Sequence, residues 1–117
     1  MRDTKLHEDR EALSVRTVEM HRALLSLIEE LEAVDWYAQR IEASKDEALK
    51  RVLAHSLEEE KEHACMTLEW IRRNDPGFAG SLRRFLFRKE TEATPPKEPG
   101  TADDETLGIG SLRAEAP

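Results

Sequence analysis

Three side chains in this sequence have the types and spacing of metal ligands: Glu30, Glu60 and His63. On a helix, a Glu-x-x-His pair places the carboxylate and the imidazole on one face. Four-helix bundles that hold two iron ions take one Glu from each of two helices and a Glu-x-x-His from each of the other two. This chain supplies one of each. The spacing therefore predicts half of a di-iron site, which a second copy would complete.

The position of these residues is stronger evidence than the motif, because a Glu-rich chain with four histidines has about an even chance of containing a Glu-x-x-His. Glu30 and Glu60 both interrupt apolar stripes, where a carboxylate is costly unless it is paired, protonated or bound to a cation. The alternative is a carboxylate that reaches water from the edge of the core, or one that only contacts the histidine. Oxygen-rich ligation with one imidazole per metal favours iron or manganese, although other divalent cations such as zinc can substitute.

Other acidic residues and histidines lie on neighbouring faces of the same segments. Glu29 and Glu32 are three residues apart, and they form either a weaker cation-attracting site or an ordinary solvated acidic face. His21 and His55 fall on different helical faces from His63, so we interpret them as surface or core histidines.

The pattern of apolar residues predicts an all-α chain. A helix is expected over residues 15–43, with Ser14 as its N-cap, because the apolar residues recur with a period of about 3.6. Ser44 and Glu47 resemble a capping box that opens a second helix, which ends near Arg73. So short a connection predicts an antiparallel hairpin. The two stripes that contain the candidate ligands are Ala23, Leu27, Glu30, Val34, Tyr37 and Ile41, and Leu49, Leu53, Ser56, Glu60, His63, Thr67 and Trp70.

The remaining segments predict the domain organisation. Residues 1–14 form an N-terminal arm, in which positions 5–13 either extend the first helix or fray. Residues 15–90 form the helical domain, which closes with a short third helix that Asp75 and Pro76 open. Residues 91–106 are rich in Pro, Thr and acidic residues, so we expect a disordered linker. Residues 107–117 form a separate tail.

Composition limits the possible functions. With 117 residues, 38% of them hydrophobic, the chain suits one small domain with a thin core. A net charge of -7 disfavours nucleic acid and favours cations. No apolar run reaches the ~18 residues of a membrane span, and we see no secretory signal, so we expect a cytoplasmic protein. The single cysteine, Cys65, falls among apolar positions and is predicted to be buried rather than reactive.

Aliphatic residues return in the tail, at Leu107, Ile109 and Leu112. Glycines between them let the backbone extend and bend, which suits a short peptide that docks in grooves of another protein. The alternative is a chance cluster near a frayed end.

Residues 28–37, 58–64 and 66–70 together resemble the encapsulated ferritins. The tail is similar to the targeting peptides that load such proteins into encapsulin shells. The tail residues that carry this similarity are Leu107, Gly108, Ile109, Gly110, Ser111, Leu112 and Arg113. One departure is Cys65, where relatives are expected to have alanine.

The resemblance implies a two-helix protomer that dimerises into a ferritin-like four-helix bundle and assembles further into an open ring, commonly a decamer. Glu30, Glu60 and His63 of each copy would be the iron ligands of a ferroxidase that oxidises Fe(II) with dioxygen. An encapsulin nanocompartment would enclose the ring and store the iron.

The resemblance also implies roles for residues around the centre. Glu29 and Glu32, with Trp36 beside them, match a metal-entry region, and Tyr37 matches an aromatic residue near the centre. Two other functions stay open: a non-enzymatic helical adaptor, and a rubrerythrin-like di-metal peroxidase. A paired-cysteine metal module would support the peroxidase, but the chain has one cysteine.

Overall fold

The computed structural model describes residues 6–89, and within that range the chain is helical and contains no strand. A 3₁₀ helix, Arg10–Ala12, precedes three α-helices: α1 (Val15–Ala43), α2 (Glu47–Asn74) and α3 (Pro76–Phe85). The all-α prediction is confirmed, as are the three helices. Among residues 6–89, no helix is both long and apolar enough to cross a membrane.

Helix α1 begins and ends where the sequence predicts. The backbone N–H of Thr17 donates to Oγ of Ser14 at 3.1 Å, which satisfies one of the free amides of the first turn. At the other end, Ser44 leaves the helix with extended backbone angles, and its N–H donates to the carbonyl of Arg40 at 2.9 Å. The 29 residues of α1 thus form one uninterrupted helix that carries the first candidate ligand.

The predicted capping box at the start of α2 is wrong. Oδ1 of Asp46 accepts the backbone N–H of Leu49 at 3.1 Å, so Asp46 occupies the capping position. Oγ of Ser44 instead accepts the N–H of Asp46 at 3.3 Å, inside the turn. The reason is that Ser44 already closes α1. Asp46 is the next residue whose side chain can accept a hydrogen bond, and it stands at the start of the new helix.

The N-terminal arm differs from both alternatives that the sequence left open. Residues 10–12 form one 3₁₀ turn, which Leu13 ends with extended backbone angles, and α1 starts two residues later. Leu6 and Leu13 are half-buried. The arm therefore neither continues α1 nor lacks structure over these positions.

The chain divides into two compact units, Met1–Ile71 and Arg72–Pro117. In the second unit, Asp75 caps α3 by accepting the N–H of Phe78 at 3.0 Å, and Pro76 occupies the first turn, as predicted. Leu86 closes α3 with its N–H donating to Leu82 at 3.0 Å. The described part of the second unit has one buried apolar side chain, Ala79.

The core of the first unit is as thin as its composition predicts. Over its described residues, only Val18, Ala64 and Ile71 are buried. Cys65 is exposed, so the prediction of a buried cysteine is wrong. It follows Ala64 by one helical step of about 100°, and Met66 beyond it is also exposed. One partner helix covers only part of α2, so a single copy leaves these neighbours in water.

Candidate metal centre

Glu30 lies in the middle of α1 within a stripe of half-buried residues. Its Oε1 atom is buried and has no hydrogen-bond partner among the described residues. A carboxylate oxygen without water or a donor is costly, which is the reason that buried polar atoms are nearly always paired. Its apolar neighbours in this stripe are Ala23, Leu27, Val34 and Ile41. The first predicted ligand is therefore an acceptor that lacks a partner among residues 6–89.

Glu60 and His63 lie together on α2, as the i, i+3 spacing requires. Oε1 of Glu60 is 3.6 Å from Nδ1 of His63. The Glu60 side chain is 25% exposed, whereas the His63 side chain is 53% exposed. This distance is too long for a good hydrogen bond, so neither group satisfies the other. Carboxylate and imidazole thus face the same region with their ligand atoms available.

One copy does not bring all three predicted ligands together. Over the described residues, no group of three or more His, Cys, Asp and Glu side chains is close enough to hold a metal ion. Glu60 and His63 lie close together, and Glu30 does not join them in such a group. This arrangement fits the half site expected from the sequence. The candidate ligand atoms, carboxylate oxygens and one imidazole, are of the types that suit iron and manganese.

The residues of the predicted entry region are more exposed. Glu29 is exposed, Glu32 is half-buried, and the Trp36 ring is half-exposed on the same helix. Tyr37 is half-buried. The tail residues 107–113 and the linker lie outside the described residues.

Sequence reasoning missed a contact beside Tyr37. The guanidinium carbon of Arg40 lies 5.3 Å from the centre of the tyrosine ring, which is a cation–π distance. The signal was present, because residues three apart on a helix are neighbours. Arg40 therefore places a fixed positive charge next to the aromatic residue of the Glu30 stripe.

Comparison with known proteins places the chain in a family. A family model described as EncFtn-like matches residues 5–89. An encapsulated ferritin-like protein of Rhodospirillum rubrum is 48% identical over 94% of this chain and 89% of its own length. A ferritin-like protein of Thermotoga maritima is 42% identical over 92% of this chain and 94% of its own length.

Two further similarities agree. The encapsulin nanocompartment cargo protein EncC of Myxococcus xanthus is 31% identical over 76% of this chain and 80% of its own length. The crystal structure of a protein from Nitrosomonas europaea superposes with a TM-score of 0.72 at 54% identity, over 76% of this chain and 98% of that one. These matches confirm the resemblance drawn from the helical motifs, and the chain belongs to the EncFtn-like family.

Proposed function

We propose that the protein is a ferroxidase that oxidises Fe(II) to Fe(III) with dioxygen at a di-iron centre between two copies. The observation that carries this proposal is the buried Oε1 of Glu30, which has no hydrogen-bond partner among the described residues. A cation would relieve the cost of that oxygen. In the proposed centre, Glu30, Glu60 and His63 of each copy hold the iron.

The need for a second copy follows from what one copy lacks. His63 is about half exposed, and no cluster of three ligands exists within residues 6–89. Two copies bring four carboxylates and two neutral imidazoles, whose charge balances two divalent cations. A dimer interface would also remove the exposed face of α2 from water. The site and the dimer would thus form together, and further assembly would give an open ring, a decamer by resemblance.

The chain's own residues would favour the oxidised product. Each Fe(II) supplies one electron to dioxygen. Carboxylate oxygens are hard ligands, and their attraction for a cation grows with its charge, so Glu30 and Glu60 stabilise Fe(III) more than Fe(II). His63 completes the ligand set of each ion. The exposed Glu29, with Glu32 and Trp36, would form the route by which Fe(II) enters.

Shell association is the second part of the proposal. The relatives from R. rubrum and M. xanthus are named for encapsulation. In this chain, residues 107–113 carry the aliphatic side chains that suit a docking peptide. We infer that they attach the protein to the inside of an encapsulin shell, where the oxidised iron accumulates.

The first experiment follows aerobic Fe(II) oxidation by absorbance for the metal-free wild type, Glu60→Ala and Glu62→Ala. Glu62 is an exposed carboxylate on the same helix, so its variant removes the same charge away from the centre. We expect fast oxidation for the wild type and Glu62→Ala, and the protein-free rate for Glu60→Ala. Background oxidation by all three would contradict the proposal and support the adaptor. Peroxide turnover with a reductant, but no fast iron oxidation, would support the peroxidase.

The tail is tested separately. Deleting residues 107–117 should leave iron oxidation unchanged and abolish capture by a co-expressed encapsulin, because the helices hold the ligands and the tail holds the docking residues. The measurement is co-purification with the shell. Undiminished capture of the shortened chain would refute the targeting role.

A further inference from the structure

Three consecutive apolar side chains at the end of α3 lie in water: Phe85, Leu86 and Phe87, which we call the aromatic surface. Phe87 is fully exposed, and Phe85 and Leu86 are exposed by 43% and 45%. Phe87 has a φ of 59°, and it is the only non-glycine residue among residues 6–89 with a positive φ. That conformation is strained for an L-residue, because its Cβ crowds the following carbonyl oxygen. No contact among the described residues offsets the exposure of the Phe87 side chain.

The segment that carries the aromatic surface is basic. Residues 72–89 contain six Lys or Arg and one Asp, which gives a net charge of +5. The guanidinium carbon of Arg84 lies 5.1 Å from the centre of the Phe85 ring, so basic and aromatic groups form one surface. The partner that fits such a surface carries both acidic and apolar groups.

The chain itself contains a segment of that chemistry. Residues 90–117 have seven Asp or Glu and two Lys or Arg, a net charge of -5. Within them, Asp103, Asp104 and Glu105 are separated by one residue, Thr106, from the aliphatic residues of the tail, which are Leu107, Ile109 and Leu112. Acidic groups for the arginines and aliphatic groups for the phenylalanines therefore occur side by side in residues 103–112.

The distance along the chain allows this contact. Residues 90–102 join the aromatic surface to the acidic residues. A tether of thirteen residues spans from roughly 20 Å as a coil to roughly 40 Å in an extended polyproline conformation, so either is long enough to return to the aromatic surface. A segment tethered in this way has an effective concentration on the order of millimolar, so even a weak contact is populated.

We propose that residues 103–112 fold back onto the aromatic surface in the free protein. The apolar residues of this segment are also those of the proposed shell-docking peptide. Fold-back therefore competes with shell docking, a consequence that rests on the proposed function. Residues 103–112 would have to leave the aromatic surface before they could bind a groove of the shell.

The test uses the full chain without iron or shell. A fluorophore is attached at Ala114→Cys in a Cys65→Ser background, and its anisotropy reports the freedom of the tail. We expect high anisotropy in ~0.01 M salt and a fall in ~1 M salt, where the screening length drops from ~30 to ~3 Å. Phe87→Ser should give the same fall at low salt. The matched control is Val15→Ser, another exposed apolar residue, which should change nothing.

A second variant leaves the helices untouched. Asp103→Asn, Asp104→Asn and Glu105→Gln together should lower the anisotropy as Phe87→Ser does, and combining both changes should add no further fall. Equal anisotropy in the wild type and both variants at low salt would overturn the fold-back. If Phe87→Ser instead changed only the particle size, a second copy would cover the aromatic surface and the proposal would be wrong.

The competition is measured by mixing these chains with shell protein. Phe87→Ser should be captured several-fold faster than the wild type, whereas equal rates would overturn the competition. If the shell captured neither chain, the proposed targeting would fail together with the competition. The fold-back would still be decided by the anisotropy, which involves no shell.

Discussion

Helix α2 carries two Glu–His pairs of similar geometry and different surroundings. Nε2 of His55 lies 3.4 Å from Oε2 of Glu59, and Nδ1 of His63 lies 3.6 Å from Oε1 of Glu60. The distances hardly differ. The hydration of the two carboxylates differs, because the Glu59 side chain is 55% exposed and the Glu60 side chain is 25% exposed. A Glu–His contact is therefore weak evidence for a metal, and the loss of water around the carboxylate is the stronger evidence.

The physical reason is the state that the metal replaces. Water already solvates an exposed carboxylate, so an exchange of water for a cation gains little. A carboxylate in an apolar stripe has lost part of that solvation and gains more from a cation. The same reasoning applies to Glu30 on α1, whose buried oxygen is the extreme case among the candidate ligands. Burial, more than spacing, separates candidate ligands from ordinary surface pairs.

Replacing the two histidines should show the largest difference. We expect His63→Gln to slow iron oxidation by at least ~100-fold, since even changes to the groups around metal ligands cost ~10–100-fold. His55→Gln should oxidise iron like the wild type, because its pair is solvated. Initial oxidation rates of the metal-free proteins measure both. Equal losses in the two variants would remove the distinction between the pairs.

Metal-dependent assembly should distinguish the same two Glu–His pairs. Without metal, the carboxylates of Glu30 and Glu60 repel across the proposed interface, so Fe(II) added without oxygen should drive small particles into larger ones. Metal at ~100 times its dissociation constant adds ~2.7 kcal/mol to the bound state. His55→Gln should retain this response and His63→Gln should lose it. Sedimentation velocity gives the sizes, and a size independent of metal over a wide range would refute the coupling.

Glu30 extends the comparison to α1. Its replacement should stabilise the metal-free protein, whereas the histidine substitutions above are compared by what they lose. Glu30→Leu should raise the unfolding free energy of the metal-free protein by about 1–3 kcal/mol, because it removes a buried acceptor that lacks a partner among the described residues. Iron should no longer stabilise this variant. The matched control is Glu29→Leu, an exposed carboxylate on the same helix, whose effect should stay within ~0.5 kcal/mol. Urea titrations of the metal-free proteins give these values, and a destabilised Glu30→Leu would mean that the carboxylate has a structural partner.

The smallest effect concerns the helix that holds both pairs. Asp46→Ala should lower the unfolding free energy by about 1 kcal/mol, because Asp46 caps α2 through Leu49. Ser44→Ala should cost less, and neither variant should change the oxidation rate. Thermal unfolding beside the iron assay provides both numbers. A larger loss for Ser44→Ala would restore the capping box that the sequence predicts.

Local signals made most of the fold predictable. The bounds of α1 and the caps at Ser14 and Asp75 follow from residues within four positions of one another, and the structure agrees. The start of α2 was less predictable, because two adjacent candidates, Ser44 and Asp46, compete for one capping role. The sequence places both residues in the turn but does not decide which of them caps α2.

The sequence by itself determined the helices, the spacing of the candidate ligands Glu30, Glu60 and His63, and the acidic balance that favours cations. Only the tertiary structure decided which of these groups lose water. It left Oε1 of Glu30 buried with no hydrogen-bond partner among residues 6–89, and it left Cys65 exposed. Spacing along a helix fixes the direction in which a side chain points, whereas burial depends on what another segment covers. One partner helix covers only part of each face.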